Sequence, residues 1–375
     1  MNVLAYVHMR NIHSSTGAGR FSRNMIEETH KLGHHRITIL ADPADHRAVA
    51  PKVGAPWSEF PYRFIRHETS RQQALWALFD RPPAESYWPE VDVMYCAGES
   101  YVPTRRARLA VTAHDAAYFE KDAHPQDWAN RKQALKWRFL YGKLARHADR
   151  VFTVSRFSAE RLGHFFPALE GRFRVVPSAI PWRFFEPVSA DGEEQLRRLG
   201  LAGRRFVMFP RGLHYRKNAD MVLRAWPRLR EMHPDLLLVI TSHSDAAYVE
   251  RARAMGPSVV LTDFIDDELL CSIYHAAAVV WFPSLYEGFG LPPLEAMACG
   301  TPVVAADATS IPEVSGDAAL LVAPNSLDDN VQALDTVLRD PAVARRFVDA
   351  GRERARRYTW TNAGRRLDEE LADLR

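Results

Sequence analysis

The chain has 375 residues, 47% of them hydrophobic and 25% charged, with a formal net charge of +3. At roughly 150 residues per domain this length allows two domains, each able to bury its own core. The composition excludes a disordered, collagen-like or coiled-coil chain, and the scattered cysteines Cys96, Cys271 and Cys299 exclude a disulfide framework or a zinc cluster.

No stretch approaches the roughly 18 apolar residues of a membrane span; the longest, Ala276 to Phe282, has strand length. Near the start, Asn11, His13, Ser14 and Ser15 interrupt any apolar region after Val7. No signal peptide is read there, and the expected location is cytoplasmic.

Short runs rich in Val, Ile and Phe alternate with longer segments of helical period. In chain order they are Val3–Val7, Ile37–Ala41, Val91–Tyr95, Leu109–Ala113, Val151–Val154, Phe206–Phe209, Leu236–Ile240, Val259–Leu261, Val279–Phe282 and Val303–Ala306. Near-continuous apolar strands separated by helices mark parallel sheets covered on both faces. So many strands divide better between two doubly wound sheets than within one. The proline-rich stretch Pro177–Pro187 is the natural seam. The expected fold is α/β, with two Rossmann-like halves and a cleft between them. Ligands of such sheets bind beyond the carboxyl ends of the strands.

The loops there carry the candidate chemistry. After the first strand comes Thr16-Gly17-Ala18-Gly19-Arg20-Phe21. Glycines in a loop let backbone N–H groups approach an anion or a sugar; a structural turn would use them equally. The pattern is not G-x-G-x-x-G, which argues against a dinucleotide-dependent oxidoreductase. His114-Asp115 follows the strand ending at Ala113, placed either for a cleft or for capping the next element. Ser155 reads as a helix cap.

Charge is divided unevenly: residues 1–185 hold 27 Lys+Arg against 18 Asp+Glu, and the remainder 22 against 28. Much of the excess is Arg131, Lys132, Lys136, Arg138, Lys143, Arg146 and Arg150, interleaved with Trp137, Phe139, Leu140 and Tyr141. At helical spacing this is a basic amphipathic helix. It is either a solvated surface helix whose aromatics enter the core, or a contact for an anionic membrane surface or a lipid-phosphate acceptor. No RNA- or DNA-binding motif accompanies it, so nucleic acid is not expected.

In the second half, Arg211, Arg216 and Lys217 follow the run ending at Phe209, where cations could neutralise a diphosphate. The sharpest signal is Glu287-Gly288-Phe289-Gly290-Leu291-Pro292-Pro293-Leu-Glu295-Ala-Met-Ala-Cys-Gly300. A glycine loop leads into a helix opened by two prolines and stopped by Gly300. Backbone N–H groups of Gly290 and Leu291 at that helix start suit a phosphate. Glu287 and Glu295 suit the hydroxyls of a sugar and a ribose, and Glu295 alone could be a first-turn acid favoured by the helix dipole.

Together these residues resemble the retaining, nucleotide-sugar-dependent glycosyltransferases of family 4, which have the GT-B fold, over essentially the whole chain. Glu287 to Glu295 is similar to that family's E-x7-E signature. The likeness continues through Gly17–Arg20, His114-Asp115, Val154-Ser155, Lys217-Asn218, Phe264–Leu270, Ser310–Val314 and Gly316–Val322. The resemblance implies an acceptor domain over residues 1–182, a nucleotide-sugar domain over 183–356 and a final helix over 357–375 crossing back to the first. It implies a retaining, metal-independent transfer with no cofactor. Glu287 would bind donor-sugar hydroxyls, Glu295 the ribose, and Lys217 with Arg211 the diphosphate. Gly288, Phe289, Gly290 and Leu291 would contact sugar and phosphate, and Phe264 and Ile265 the base. His114 would lie beside the reacting sugar. Gly17 and Gly19 would admit donor and acceptor, with Arg20 and Asp115 on the acceptor side. Two positions depart from the family pattern: Gly212 stands where an arginine is usual, and Ser178-Ala179 replaces an Asn-Gly pair.

The expected donor is GDP-mannose, ahead of UDP- or dTDP-hexoses, in polysaccharide or glycolipid assembly. The expected acceptor is a saccharide, lipid-linked if the basic helix meets the inner face of the plasma membrane. The rival readings are a sugar phosphorylase or nucleotide-sugar epimerase on the same scaffold, and a non-catalytic scaffold.

Overall fold

A computed structural model of the chain describes residues 1–13, 16–121, 123–124 and 128–374; Ser14 and Ser15 of the N-terminal reading lie outside them. It divides into two units. Unit 1 comprises Met1–Phe119, Asp127–Ala179 and Trp360–Arg375; unit 2 comprises Glu120–Gln126 and Ile180–Thr359.

Unit 1 is built on strands β1 (Asn2–Tyr6), β2 (Arg36–Ala41), β3 (Tyr62–Phe64), β4 (Val93–Cys96), β5 (Arg108–Ala113), β6 (Arg150–Thr153) and β7 (Phe173–Val175). They form one parallel sheet in the order β3-β2-β1-β4-β5-β6-β7. Unit 2 carries β8 (Phe206–Phe209), β9 (Leu237–Ile240), β10 (Val259–Leu261), β11 (Val279–Phe282), β12 (Val303–Ala306) and β13 (Leu320–Val322), parallel in the order β10-β9-β8-β11-β12-β13. Both are Rossmann-like sheets.

Each apolar run read from the sequence is a strand. The three strands not anticipated, β3, β7 and β13, lie at sheet edges and are half-buried or exposed. In β3 and β7 an arginine, Arg63 or Arg174, breaks the apolar run, as an edge strand with one neighbour tolerates; the fourth edge, β10, keeps an unbroken run and is read.

Helices flank the strands. Those used below are α1 (Gly17–Leu32), α2 (Thr69–Phe79), α3 (Trp128–His147), α4 (Arg156–Phe165), α5 (Ala219–Met232), α6 (Asp267–Ala276), α7 (Leu291–Ala298) and α8 (Trp360–Ala372). In α1, Phe21, Met25 and Ile26 recur at helical spacing and are buried. Thr16 caps its start, its side chain accepting from Gly19 N at 3.2 Å, and Gly33 at φ 71° ends it. Gly17 and Gly19 therefore belong to the first helical turn rather than to a loop. Ser155 caps α4 by accepting from Ser158 N at 3.0 Å.

The basic segment is also corrected. Helix α3 ends at His147, and Arg150 opens β6, where it is buried and paired with Glu370 of α8 at 2.8 Å. Lys143 is buried against Asp80 at 2.9 Å. A buried cation needs such a partner, so these two do not serve a solvent-facing charge stripe. Among the described residues, no helix is long and apolar enough to cross a membrane.

Candidate functional site

In unit 2 the chain runs outward from β8 through β9 to β10, then crosses to β11 on the other side of β8. Such a reversal leaves a crevice beyond the carboxyl ends of the two central strands. The loops leaving β8 and β11 are the ones that carry Arg211, Lys217 and Glu287.

The β8 loop is held in shape by its own backbone. Arg211 and Gly212 both lie in the left-handed region, at φ 73° and 76°. A Cβ on Gly212 would overlap the backbone carbonyl oxygen of His243. Glycine there is thus a packing requirement, which accounts for the missing arginine. Leu213 N donates to Ser244 Oγ at 2.7 Å, anchoring the same approach. A short turn, Tyr215–Lys217, ends at Asn218, itself left-handed at φ 63°. Asn218 Nδ2 donates to the carbonyls of Pro283 (3.1 Å) and Pro324 (2.8 Å), and Leu285 N donates to Arg216 O at 2.9 Å. These bonds tie the lysine turn to the loop leaving β11.

The β11 loop is braced from its other side. Ser310 Oγ donates to the carbonyls of Glu287 (2.9 Å) and Phe289 (2.8 Å), while Glu287 N donates to Thr309 Oγ1 at 3.2 Å. Gly288 is buried within this loop, and the Phe289 ring meets Tyr358 edge-on at 5.6 Å. Gly290, at φ 100°, forms the N-cap of α7; no side chain caps this end, and Leu291 opens the helix. The N–H groups of Gly290 and Leu291 and the positive dipole end suit an anion, while Pro292 and Pro293 that follow have no N–H to offer.

Two ion pairs result, their carboxylates buried and their cations half-buried. Lys217 Nζ donates to Glu287 Oε1. Arg211 Nη2 donates to Glu295 Oε1 at 2.7 Å, and the Tyr274 hydroxyl, from α6, donates to Glu295 Oε2 at 2.8 Å. Burial works against ionisation of Glu287, but the charges of Lys217 and Arg216 outweigh it and hold the carboxyl below its usual range. Burial likewise lowers the Lys217 ammonium, with Glu287 opposing. Glu295 raises the already high Arg211 pKa. Burial, with Glu295 beside it, pushes the Tyr274 phenol well up.

Glu295 lies beyond the first turn of α7, so Arg211 and Tyr274 hold its charge rather than the dipole. Arg211 faces Glu295 and not the Lys217–Glu287 pair. Of the supporting residues, Tyr274, Thr309 and Ser310 had no site role in the sequence reading. The Ser310–Val314 match carried a signal for Ser310 alone, and nothing marks Thr309 or Tyr274.

Phe264 and Ile265 lie between β10 and α6, Phe264 at 75% exposure. A cavity of about 340 Å³ adjoins them, reached by Ser242, His243, Thr262 and Asp263.

The remaining candidates lie in unit 1. His114 follows β5: its N–H donates to Glu99 Oε1 at 2.6 Å and its carbonyl accepts from Ser158 Oγ at 2.9 Å. The imidazole stands edge-on to Phe21 at 5.2 Å, and its Nε2 is buried without a hydrogen-bond partner among the described residues. Asp115 accepts from Ala117 N at 2.8 Å, the capping alternative. Gly19 is buried, and Arg20 is half-buried on α1.

Comparison with known proteins agrees with this architecture. The glycosyltransferase family 4 model matches residues 15–181, and that of glycosyl transferases group 1 matches residues 191–354. O-antigen chain mannosyltransferase B of Escherichia coli is 29% identical over 80% of this chain and 79% of its own length. The MMP alpha-(1->4)-mannosyltransferase of Mycolicibacterium hassiacum is 32% identical over 61% of this chain and 55% of its own. Among solved structures, the sucrose-phosphate synthase of Thermosynechococcus elongatus superposes with a TM-score of 0.75 at 21% identity, over 100% of this chain and 99% of that one. With adjoining family models across both Rossmann-like sheets, the chain belongs to the family 4 glycosyltransferases of the GT-B fold.

Proposed function

We propose that this glycosyltransferase moves an α-linked hexose, mannose from GDP-mannose first among the candidates, to a hydroxyl of a saccharide acceptor. The transfer retains configuration and needs neither metal nor cofactor. The observation that carries this reading is the pairing of Lys217 with Glu287 beside the uncapped start of α7: a cation, a hydroxyl acceptor and helix amides within one braced pair of loops. The mannosyltransferase relatives support the choice of sugar.

In this reading Lys217 and the α7 amides stabilise charge developing on the diphosphate as the sugar C1–O bond breaks. A phosphate oxygen of the leaving group takes the acceptor proton on the same face of the sugar as the new C1–O bond forms. Glu287 holds sugar hydroxyls, Glu295 with Arg211 the ribose end, and Phe264 and Ile265 the base. Gly17, Gly19, Arg20, His114 and Asp115 are the residues of unit 1 that the family resemblance assigns to sugar and acceptor. The acceptor is a lipid-linked saccharide, met at the inner face of the plasma membrane.

The test is thermal melting with a panel of GDP-, UDP- and dTDP-sugars, with and without EDTA, followed by a transfer assay with the donor that binds. A ligand at about 100 times its Kd stabilises the folded chain by roughly 2.7 kcal/mol. We expect one nucleotide class, GDP, to raise the midpoint equally with and without EDTA. A shift abolished by EDTA would refute metal independence, and no shift with any donor would refute the transferase reading.

A further inference from the structure

Packing alone does not explain Tyr274. It lies on α6 with Leu270 and Ile273, all three buried, and its ring meets Phe184 edge-on at 5.9 Å. Such a position asks for an aromatic ring, and phenylalanine would fill it without taking a hydroxyl out of water. The chain has tyrosine instead, and its hydroxyl donates to Glu295 Oε2 at 2.8 Å. Thr301 Oγ1 donates to the Tyr274 carbonyl at 2.5 Å, pinning this turn of α6 to the segment that follows α7.

The three linked side chains differ in what they show to solvent. Tyr274 is fully buried and the Glu295 side chain is 2% exposed, whereas that of Arg211 is 27% exposed. A ligand in the crevice therefore meets Arg211 before Glu295. Arg211 spends Nη2 on Glu295 Oε1, and because the guanidinium is a planar fork, that bond aims its other N–H groups. The backbone marks the same residue. Arg211 holds φ 73°, which glycine adopts without strain and a longer side chain does not. Strain of this kind persists where the side chain itself is needed.

A glutamate carboxyl turns readily about its last bond, so one donor does not fix its plane. Donors on both oxygens do, and Arg211 and Tyr274 supply them. Burial, with Glu295 beside it, keeps the phenol protonated and so a donor at neutral pH. Without the hydroxyl, Oε2 would be a buried, charged oxygen lacking a donor. The carboxylate would turn towards Arg211 to recover one, and the guanidinium would turn with it.

We infer that Tyr274 is a positioning residue that makes the site select ribose: through Glu295 it fixes the Arg211 guanidinium against the ribose hydroxyls of the donor nucleotide. Tyr274 itself touches no ligand, and Glu295 serves the ribose by anchoring Arg211. The assignment rests on the proposed nucleoside diphosphate donor.

Calorimetry with GDP and 2′-deoxy-GDP tests it, each variant's melting midpoint showing that it is folded. The wild-type chain should bind GDP at least about tenfold tighter than the deoxy form, the worth of a hydrogen bond to a charged group. Tyr274→Phe keeps the ring and should cut that preference to about threefold or less. A merely structural tyrosine would lower the midpoint of Tyr274→Phe and leave the preference as it was, which would overturn the assignment. In Glu295→Gln the preference should already be lost, and adding Tyr274→Phe should change it no further. A further loss in the double variant would show that the tyrosine acts by another route, and would also overturn it. This second comparison leaves no carboxylate charge unpaired, so it holds even where Tyr274→Phe alone does not fold. If UDP is the nucleotide that binds, the same comparison runs with 2′-deoxy-UDP. Wild-type chain that binds ribo and deoxy forms alike would overturn the assignment and leave the transferase reading in place. Failure of GDP, UDP and dTDP alike to bind would remove both.

Discussion

At the scale of single residues, the two ion pairs divide the labour of unit 2. Arg211 and Tyr274 occupy both oxygens of Glu295, whereas the Lys217–Glu287 pair sits at the mouth of a helix. Replacing either member of the latter pair leaves an uncompensated buried charge, which costs about 3–5 kcal/mol where it cannot relax. A fall in activity must therefore be separated from a fall in stability. We expect Glu287→Gln and Lys217→Ala each to lower the transfer rate at least tenfold, about 1.4 kcal/mol or more, measured well below each variant's melting midpoint. Wild-type rates in both would remove these residues from the mechanism. The residue types were legible in the chain: an acid before a glycine loop, a lysine after a strand. Their partners were not, because Lys217 finds Glu287 70 positions away and Arg211 finds Glu295 84 positions away. Only the sheet order brings β8 beside β11.

At the scale of elements, the inner strands announced themselves, because burial on both faces writes an unbroken apolar run, whereas of the four edge strands only β10 did. Gly17 and Gly19 were misread as a loop for a related reason: glycine weakens a helix by propensity, and here the Thr16 cap and the buried face of α1 override it. The packing of α8 was invisible to any local pattern. Gly364 lets α8 approach α1 so closely that an added Cβ would overlap the Cβ of Glu28, an atom that cannot swing away. Gly364→Ala should accordingly destabilise unit 1 by about 1–3 kcal/mol, despite alanine's better helix propensity. Calorimetric unfolding would check this, and a raised midpoint would mean that the two helices have room to spare.

At the scale of the whole molecule, acid acts in two stages. Burial lowers the pKa of His8, His35, His46 and His275, with Asp368 opposing at His35. A histidine depressed in the folded state stabilises above its unfolded pKa of about 6.5, and that contribution is lost as pH falls below it. At Asp42, Asp80 and Glu85 burial opposes ionisation, but hydrogen bonds outweigh it, joined at Asp80 by the Lys143 ion pair; all three titrate below their usual range. Their contribution is present above about pH 4 and is lost as pH falls through their folded values. Denaturant titrations from pH 7 to pH 3 should show stability declining first below about pH 6.5 and more steeply below about pH 4. A flat profile down to pH 4 would mean that the histidines titrate alike folded and unfolded. The return of α8 to unit 1 has a consequence for synthesis. A ribosome delivers Ile180–Thr359 before Trp360 appears, so most of the second sheet can close while the first still lacks its last helix. Until then His35 has no Asp368 and Arg150 no Glu370. The half of the protein made first is finished last, and a chain released before α8 is translated would leave Arg150 without its counter-charge and α1 without the helix packed on it, open to degradation before it could act.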